Sequence, residues 1–197
     1  MKSRILVVED ESIVRLDVSM MLKDAGYEVI GEAGDGEEAV EFVHHTQPDL
    51  LIMDIKMPKL DGLKASRIIN KRFDIPILLL TAYSQRDFIE KAKEANIVGY
   101  IIKPVSEDRL IPAVEIALHQ GKVAAEHRKK LEEASYKLEE RKLVEKAKGL
   151  LMKRFSYTEE TAFKKMRKLS MDRQVSLEKV ARQVLKKYSS DPSKVDK

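Results

Sequence analysis

The chain has 197 residues, room for one medium domain or two small ones, and its 43% apolar content belongs to a globular protein. It contains no cysteine, which excludes disulfides, thiol catalysis and cysteine-ligated zinc or iron–sulfur centres. Charge divides it in two: residues 1–121 carry 15 Lys and Arg against 21 Asp and Glu (−6) and residues 122–197 carry 22 against 12 (+10), together the overall +4. A basic module suited to an anionic partner therefore follows an acidic one.

Met1-Lys2-Ser3-Arg4 precedes only four apolar residues, too few for a signal-peptide core, and no run of about 18 apolar residues follows, so a soluble, cytoplasmic protein without a membrane partner is expected. The four histidines are scattered or back to back and read as solvated rather than metal-binding. Ile5-Leu6-Val7-Val8 is a β-branched run that stops on Glu9-Asp10-Glu11. An amphipathic helix follows from Val14 to Ala25, with Ile13, Leu16, Met20 and Met21 on or near one face and Gly26 as its stop. Val29 to Ala33 is a second strand. Glu37 to His45 is a second helix, after the Gly34-Asp35-Gly36 turn.

Leu50 to Met53 suits a strand covered on both faces, and it ends on Asp54 before the turn residues Met57-Pro58 and Asp61-Gly62. A helix from Leu63 to about Lys71, a strand over Ile77 to Thr81, a helix from Arg86 to about Ala95 and a strand over Gly99 to Ile102 complete the alternation, with Lys103-Pro104 after it. Five strands alternating with helices predict a doubly wound parallel α/β sheet, whose ligands bind at the carboxyl ends of the strands.

Those ends carry Glu9, Asp10, Asp54, Thr81 and Lys103. Three carboxylates brought together repel one another and favour a hard divalent cation, Mg²⁺, beside which Asp54 can act as a nucleophile toward a phosphoryl group. Thr81 and Lys103 supply a hydroxyl and an ammonium for phosphoryl oxygens. Each residue alone also reads as a helix cap or a solvated charge. In their order, with Pro48-Asp49-Leu50, Met57-Pro58 and Asp61-Gly62, they resemble the receiver domain of response regulators over about residues 3–120. The resemblance implies a flavodoxin-like (βα)5 fold with strand order 2-1-3-4-5 and Asp54 as phosphoacceptor for a sensor histidine kinase. It further implies Glu9, Asp10, Asp54 and the Lys56 backbone carbonyl as metal ligands, a cis Lys103–Pro104 peptide, and Tyr100 as the switch partner of Thr81.

Ser106-Glu107-Asp108 can cap a further helix, with either a kink at Pro112 or a start there. From Leu110 to Arg141 apolar and small residues recur at alternating three- and four-residue spacing, a thin seam that fits a weak coiled coil and a solvated linker helix equally. Three short amphipathic segments follow, marked by Leu143–Leu151, Ala162–Leu169 and Leu177–Leu185, with starts at Ser156 or Thr158 and at Ser176. Their outer faces are dense in cations, Lys148, Lys153, Arg154, Arg167 and Arg173 among them, and the net +10 favours a polyanion.

Ala147-Lys148-Gly149-Leu150-Leu151-Met152, Thr161-Ala162-Phe163, Arg167, Ser170-Met171, Leu177 and Val180-Ala181 resemble the ANTAR domain, an RNA-binding antitermination module, over about residues 137–187. Phe155-Ser156-Tyr157 departs from it, because the family often places a glycine there. The expected organisation is a receiver (1–121), a helical connector (122–140), a three-helix RNA-binding domain (141–188) and a disordered tail (189–197). The resemblance implies a homodimer formed on phosphorylation that binds tandem stem-loops in leader RNA and prevents transcription termination. It implies no enzyme beyond slow self-dephosphorylation. The RNA contacts expected are Lys148, Lys153, Arg154, Arg167 and Arg173. A DNA-binding regulator with an atypical helix-turn-helix is the alternative.

Overall fold

The computed structural model describes residues 2–82 and 96–188, and the chain divides into two units, Met1–His127 and Arg128–Lys197. The first contains five strands, β1 (Arg4–Val8), β2 (Glu28–Ala33), β3 (Leu50–Asp54), β4 (Ile77–Thr81) and β5 (Ile97–Ile102). Helices α1 (Ser12–Asp24), α2 (Gly36–Thr46) and α3 (Gly62–Asn70) connect the early strands. The helix expected over 86–95 and the tail expected over 189–197 lie outside the described residues. All pairings are parallel, in the order β2-β1-β3-β4-β5. Strand order reverses between β1 and β3, so a crevice opens at their carboxyl ends, where Glu9, Asp10 and Asp54 stand.

The inner strands read as continuous apolar runs because both faces of the sheet are covered. Alternate residues divide between two cores: Leu6, Val8, Leu51 and Met53 pack with Val43 and Ile69, while Ile5, Val7, Leu50 and Ile52 pack with Val18, Leu22, Leu110 and Val114. The face of α1 differs from expectation. Val18, Ser19 and Leu22 are buried, whereas Ile13, Leu16 and Met20 are 78%, 54% and 52% exposed. Apolar residues occupy more than one stripe of this helix, and the stripe that begins at Val14 and runs through Val18 to Leu22 is the one turned to the sheet.

Helix α4 (Glu107–Phe155) runs for 49 residues without a break. It starts at Glu107, five residues before Pro112, and the carbonyl of the preceding Ser106 accepts from Arg109 N–H and Leu110 N–H at 3.1 and 2.9 Å. Proline removes one N–H, and the Asp108 carbonyl it would have served belongs to an exposed residue that water can solvate. The first of the three expected amphipathic segments is thus the end of this helix rather than a separate one. Gly121 lies against Pro76, where a Cβ would come within 2.6 Å of the proline ring.

In the second unit, α4 is followed by α5 (Glu159–Asp172) and α6 (Leu177–Tyr188). Their core is small: Val144, Ala147 and Leu151 meet Ala162, Met166, Val180, Ala181 and Val184. Thr158, not Ser156, caps α5 through a bond from Thr161 N–H. Ser156 takes φ 53°, the left-handed conformation that favours glycine. The long helix fits a coiled coil, and its seam residues Leu131 and Leu138 are exposed.

Candidate functional site

At the β1–β3 crevice, each strand ends on an acid, Glu9 after β1 and Asp54 at the end of β3. Glu9 is fully buried, Asp54 nearly so, and Asp10 exposed, and one carboxylate oxygen from each lies within 4.8 Å of the others. Lys103 reaches in after β5 and places Nζ 2.9 Å from Asp54 Oδ2 and 2.8 Å from Glu9 Oε2. It donates to Asp54 Oδ2 and to Glu9 Oε1, both at 2.9 Å. Asp54 Oδ1 accepts from the Ile55 N–H at 2.7 Å. Thr81 is buried at the end of β4, and the Lys103–Pro104 peptide is cis. Lys56 is exposed on the loop after β3, and Tyr100 is 53% exposed on β5.

Burial is the largest influence on Glu9 and raises its pKa; the Lys103 hydrogen bond pulls it down, the Asp54 charge adds to the rise, and the net is upward. Burial pulls the Lys103 ammonium down, but its bonds to Glu9 and Asp54 outweigh this and raise it. Glu9 Oε2 is buried and receives no well-directed hydrogen bond, although Lys103 lies close. Three carboxylates whose oxygens converge at one strand edge are an all-oxygen donor set that fits a Mg²⁺ ion.

Several supports of this crevice were not legible in the sequence. Asp61 caps α3, and the Gly62 N–H donates to the Ile55 carbonyl at 2.9 Å. A Cβ on Gly62 would stand 2.0 Å from the Asp54 carbonyl oxygen, so only glycine lets α3 start this close to the strand end. The Asp-Gly pair announced a turn but not that approach. Asp35 caps α2 by accepting from the Glu37 and Glu38 N–H groups, and Lys59 Nζ reaches its other oxygen at 2.5 Å. The Lys59 hydrogen bond is the leading cause that holds the Asp35 carboxyl below its usual range. Arg15 donates to the Glu9 backbone carbonyl and lies 3.6 Å from Glu32.

In the basic unit the expected contacts separate. Lys148 was expected on an outer face, yet it is only 7% exposed. Its Nζ lies 2.7 Å from both Glu145 and Glu159 and 5.9 Å from the Phe163 ring centre. Its hydrogen bonds to the two glutamates raise its pKa. A lysine between alanine and leucine-rich helical turns looks like one more surface cation, and the acids that enclose it come from two helices. Lys153, Arg167 and Arg173 are exposed, and Arg154 is half-buried with its guanidinium 5.6 Å from the Tyr188 ring centre. Among the described residues no helix is long and apolar enough to cross a membrane.

The family described as "Response regulator receiver domain" matches residues 5–115, and the family described as "ANTAR domain" matches residues 132–185. Transcriptional regulatory protein PdtaR of Mycobacterium tuberculosis is 45% identical over 92% of this chain and 89% of its own length. Among solved structures, the signal receiver domain of a modulated diguanylate cyclase from Desulfovibrio desulfuricans G20 superposes with a TM-score of 0.59 at 30% identity, covering 63% of this chain and 99% of that one. The response regulator domain of CheB from Thermotoga maritima gives 0.55 at 28% identity, covering 61% and 96%.

Proposed function

The chain belongs to the two-component response regulators that join a receiver domain to an ANTAR domain, and from that premise we propose that it is a phosphorylation-activated RNA-binding antiterminator. The observation that carries the reading is the crevice in which Lys103 joins Glu9 to Asp54 at the switch point of the sheet. Asp54 is the phosphoacceptor. One of its carboxylate oxygens attacks a phosphoryl group held on a histidine of a sensor kinase; a P–O bond forms, the P–N bond breaks, and the imidazole nitrogen leaves with the electron pair. Glu9, Asp10, Asp54 and the Lys56 carbonyl would hold Mg²⁺, which would supply positive charge for the phosphoryl oxygens. Lys103 and Thr81 bind those oxygens from the protein side, and Tyr100, exposed in this structure, is the residue that Thr81 draws inward.

Residues 1–121 serve as the receiver, 122–140 as the connector and 141–188 as the RNA-binding domain. Activated receivers pair, and the seam of α4 carries the pairing to two basic domains. Two linked domains engage two stem-loops of one leader RNA with a raised effective concentration for the second, which prevents formation of an overlapping terminator. Lys153, Arg154, Arg167 and Arg173 remain the RNA contacts proposed from charge, while Lys148 acts by closing the domain around Glu145 and Glu159. The protein works in the cytoplasm as a regulator, with no catalysis beyond slow loss of its own phosphate.

The test is single-round transcription through a leader whose paired hairpins overlap a terminator, with the purified chain, Mg²⁺ and acetyl phosphate as phosphodonor. Readthrough rises on phosphodonor addition, and Asp54→Ala abolishes both the rise and the incorporation of labelled phosphate. Unchanged readthrough with a fully phosphorylated chain would overturn the reading.

A further inference from the structure

The three helices of the second unit leave an open pocket of about 380 Å³. Met166, Leu169 and Val184 line its apolar part, and rings from the end of α4, the turn after it and the end of α6 form a wall. Phe155 and Tyr157 stack with centroids 5.4 Å apart at 20°, and Tyr188 meets Phe155 edge-on at 5.4 Å. Lys165 lies 5.1 Å from the centre of the Tyr157 ring and Lys187 lies 5.3 Å from that of Tyr188. Arg173 Nη1 and Gln183 Oε1 approach to 3.5 Å beside them.

Of the twelve lining residues three are cationic and none is acidic. That selects against a cationic occupant. Three acids of the same unit are engaged with other cations, Glu145 and Glu159 with Lys148 and Glu178 with Arg182. A simple anion has no use for the rings, and an apolar side chain has no use for the cations. A nucleobase carried on a phosphate backbone uses both, since every base has a face to stack and every linkage a charge. Lys165 and Lys187 are exposed, long side chains that can turn from ring to phosphate.

We propose that this pocket receives one unpaired loop nucleobase of the bound RNA. The base stacks on Tyr157 and Tyr188, Gln183 and Arg173 meet its hydrogen-bonding edge, and Lys165 and Lys187 hold the flanking phosphates. The inference rests on the RNA reading above and adds the surface, the single-stranded element read, and the groups that read it.

The experiment uses the full chain with beryllofluoride and Mg²⁺, and a two-hairpin RNA enriched on it from a library with randomised loops. Loop nucleotides are made abasic one at a time, and each RNA is titrated with the wild type, Tyr157→Ala, Tyr157→Phe, Gln183→Ala and Lys165→Gln. One abasic position lowers wild-type affinity about 5- to 100-fold and costs Tyr157→Ala nothing further, whereas Tyr157→Phe keeps the dependence. Gln183→Ala, at an exposed position, relaxes the choice of base there, and Lys165→Gln lowers the salt slope by about one. RNA that binds with no abasic position coupled to Tyr157, and with Gln183→Ala indistinguishable from wild type, overturns the pocket assignment alone. A library that yields no bound RNA overturns the RNA reading and this assignment with it.

Discussion

Lys103 bridges two buried carboxylates, so its removal leaves Glu9 and Asp54 facing each other without the cation between them. Lys103→Met is expected to cost about 1–3 kcal/mol in metal-free buffer, less than for a fully buried pair because the ammonium keeps some solvent contact, and Mg²⁺ should restore part of it. Thermal melts with and without Mg²⁺ check this. Gly62→Ala pushes a methyl group against the Asp54 carbonyl oxygen and should destabilise by about 1–3 kcal/mol or more, read from denaturant midpoints. Asp35 gives a pH dependence of known sign. Its carboxyl is depressed in the folded chain, so its stabilisation is complete above about pH 4, its unfolded value, and is lost as pH falls through the lower folded value. Lys59→Met should therefore shift the acid-unfolding midpoint to higher pH, and an unchanged midpoint would show that the pair does not contribute. Glu9-Asp10 and Asp54 were legible because they end continuous apolar runs, and Lys103 because it follows the last strand directly before Pro104. The Asp35–Lys59 pair was not, because residues 24 positions apart on two loops leave no periodic trace.

Among the elements, the inner strands were plain because burial on both faces leaves no polar position to confuse the pattern. Helix α1 misled because its apolar residues form two stripes, and only the tertiary position of β1 and β3 decides which one is covered. The continuity of α4 was hidden in another way: a helix without breakers carries no mark where a connector becomes part of a domain. The turn after it was better signalled. Ser156 stands in a left-handed conformation at the helix end, so Ser156→Gly should stabilise residues 141–188 by about 0.5–1 kcal/mol, seen as slower amide hydrogen exchange there. Slower exchange confined to the first unit would contradict it. The exposed seam makes a further prediction. Leu131→Lys with Leu138→Lys should weaken dimerisation of the beryllofluoride-activated chain about tenfold or more in sedimentation, leaving phosphorylation of Asp54 intact.

For the whole molecule, the division of charge between −6 and +10 anticipated two units with different partners, and the two family matches fall on the two sides of it. Charge did not choose between RNA and DNA; the compact Ala-Lys-Gly-Leu-Leu-Met block did, through its resemblance to ANTAR domains. The direct measurement is affinity for a two-hairpin leader RNA and for a DNA duplex at one fixed salt concentration, each with and without beryllofluoride and Mg²⁺. Salt is fixed because phosphate contacts dominate both affinities. The account predicts preference for the RNA, tightened about tenfold or more by the phosphate mimic through pairing of two basic domains. Preference for the duplex, or no binding to either nucleic acid in either state, would contradict it.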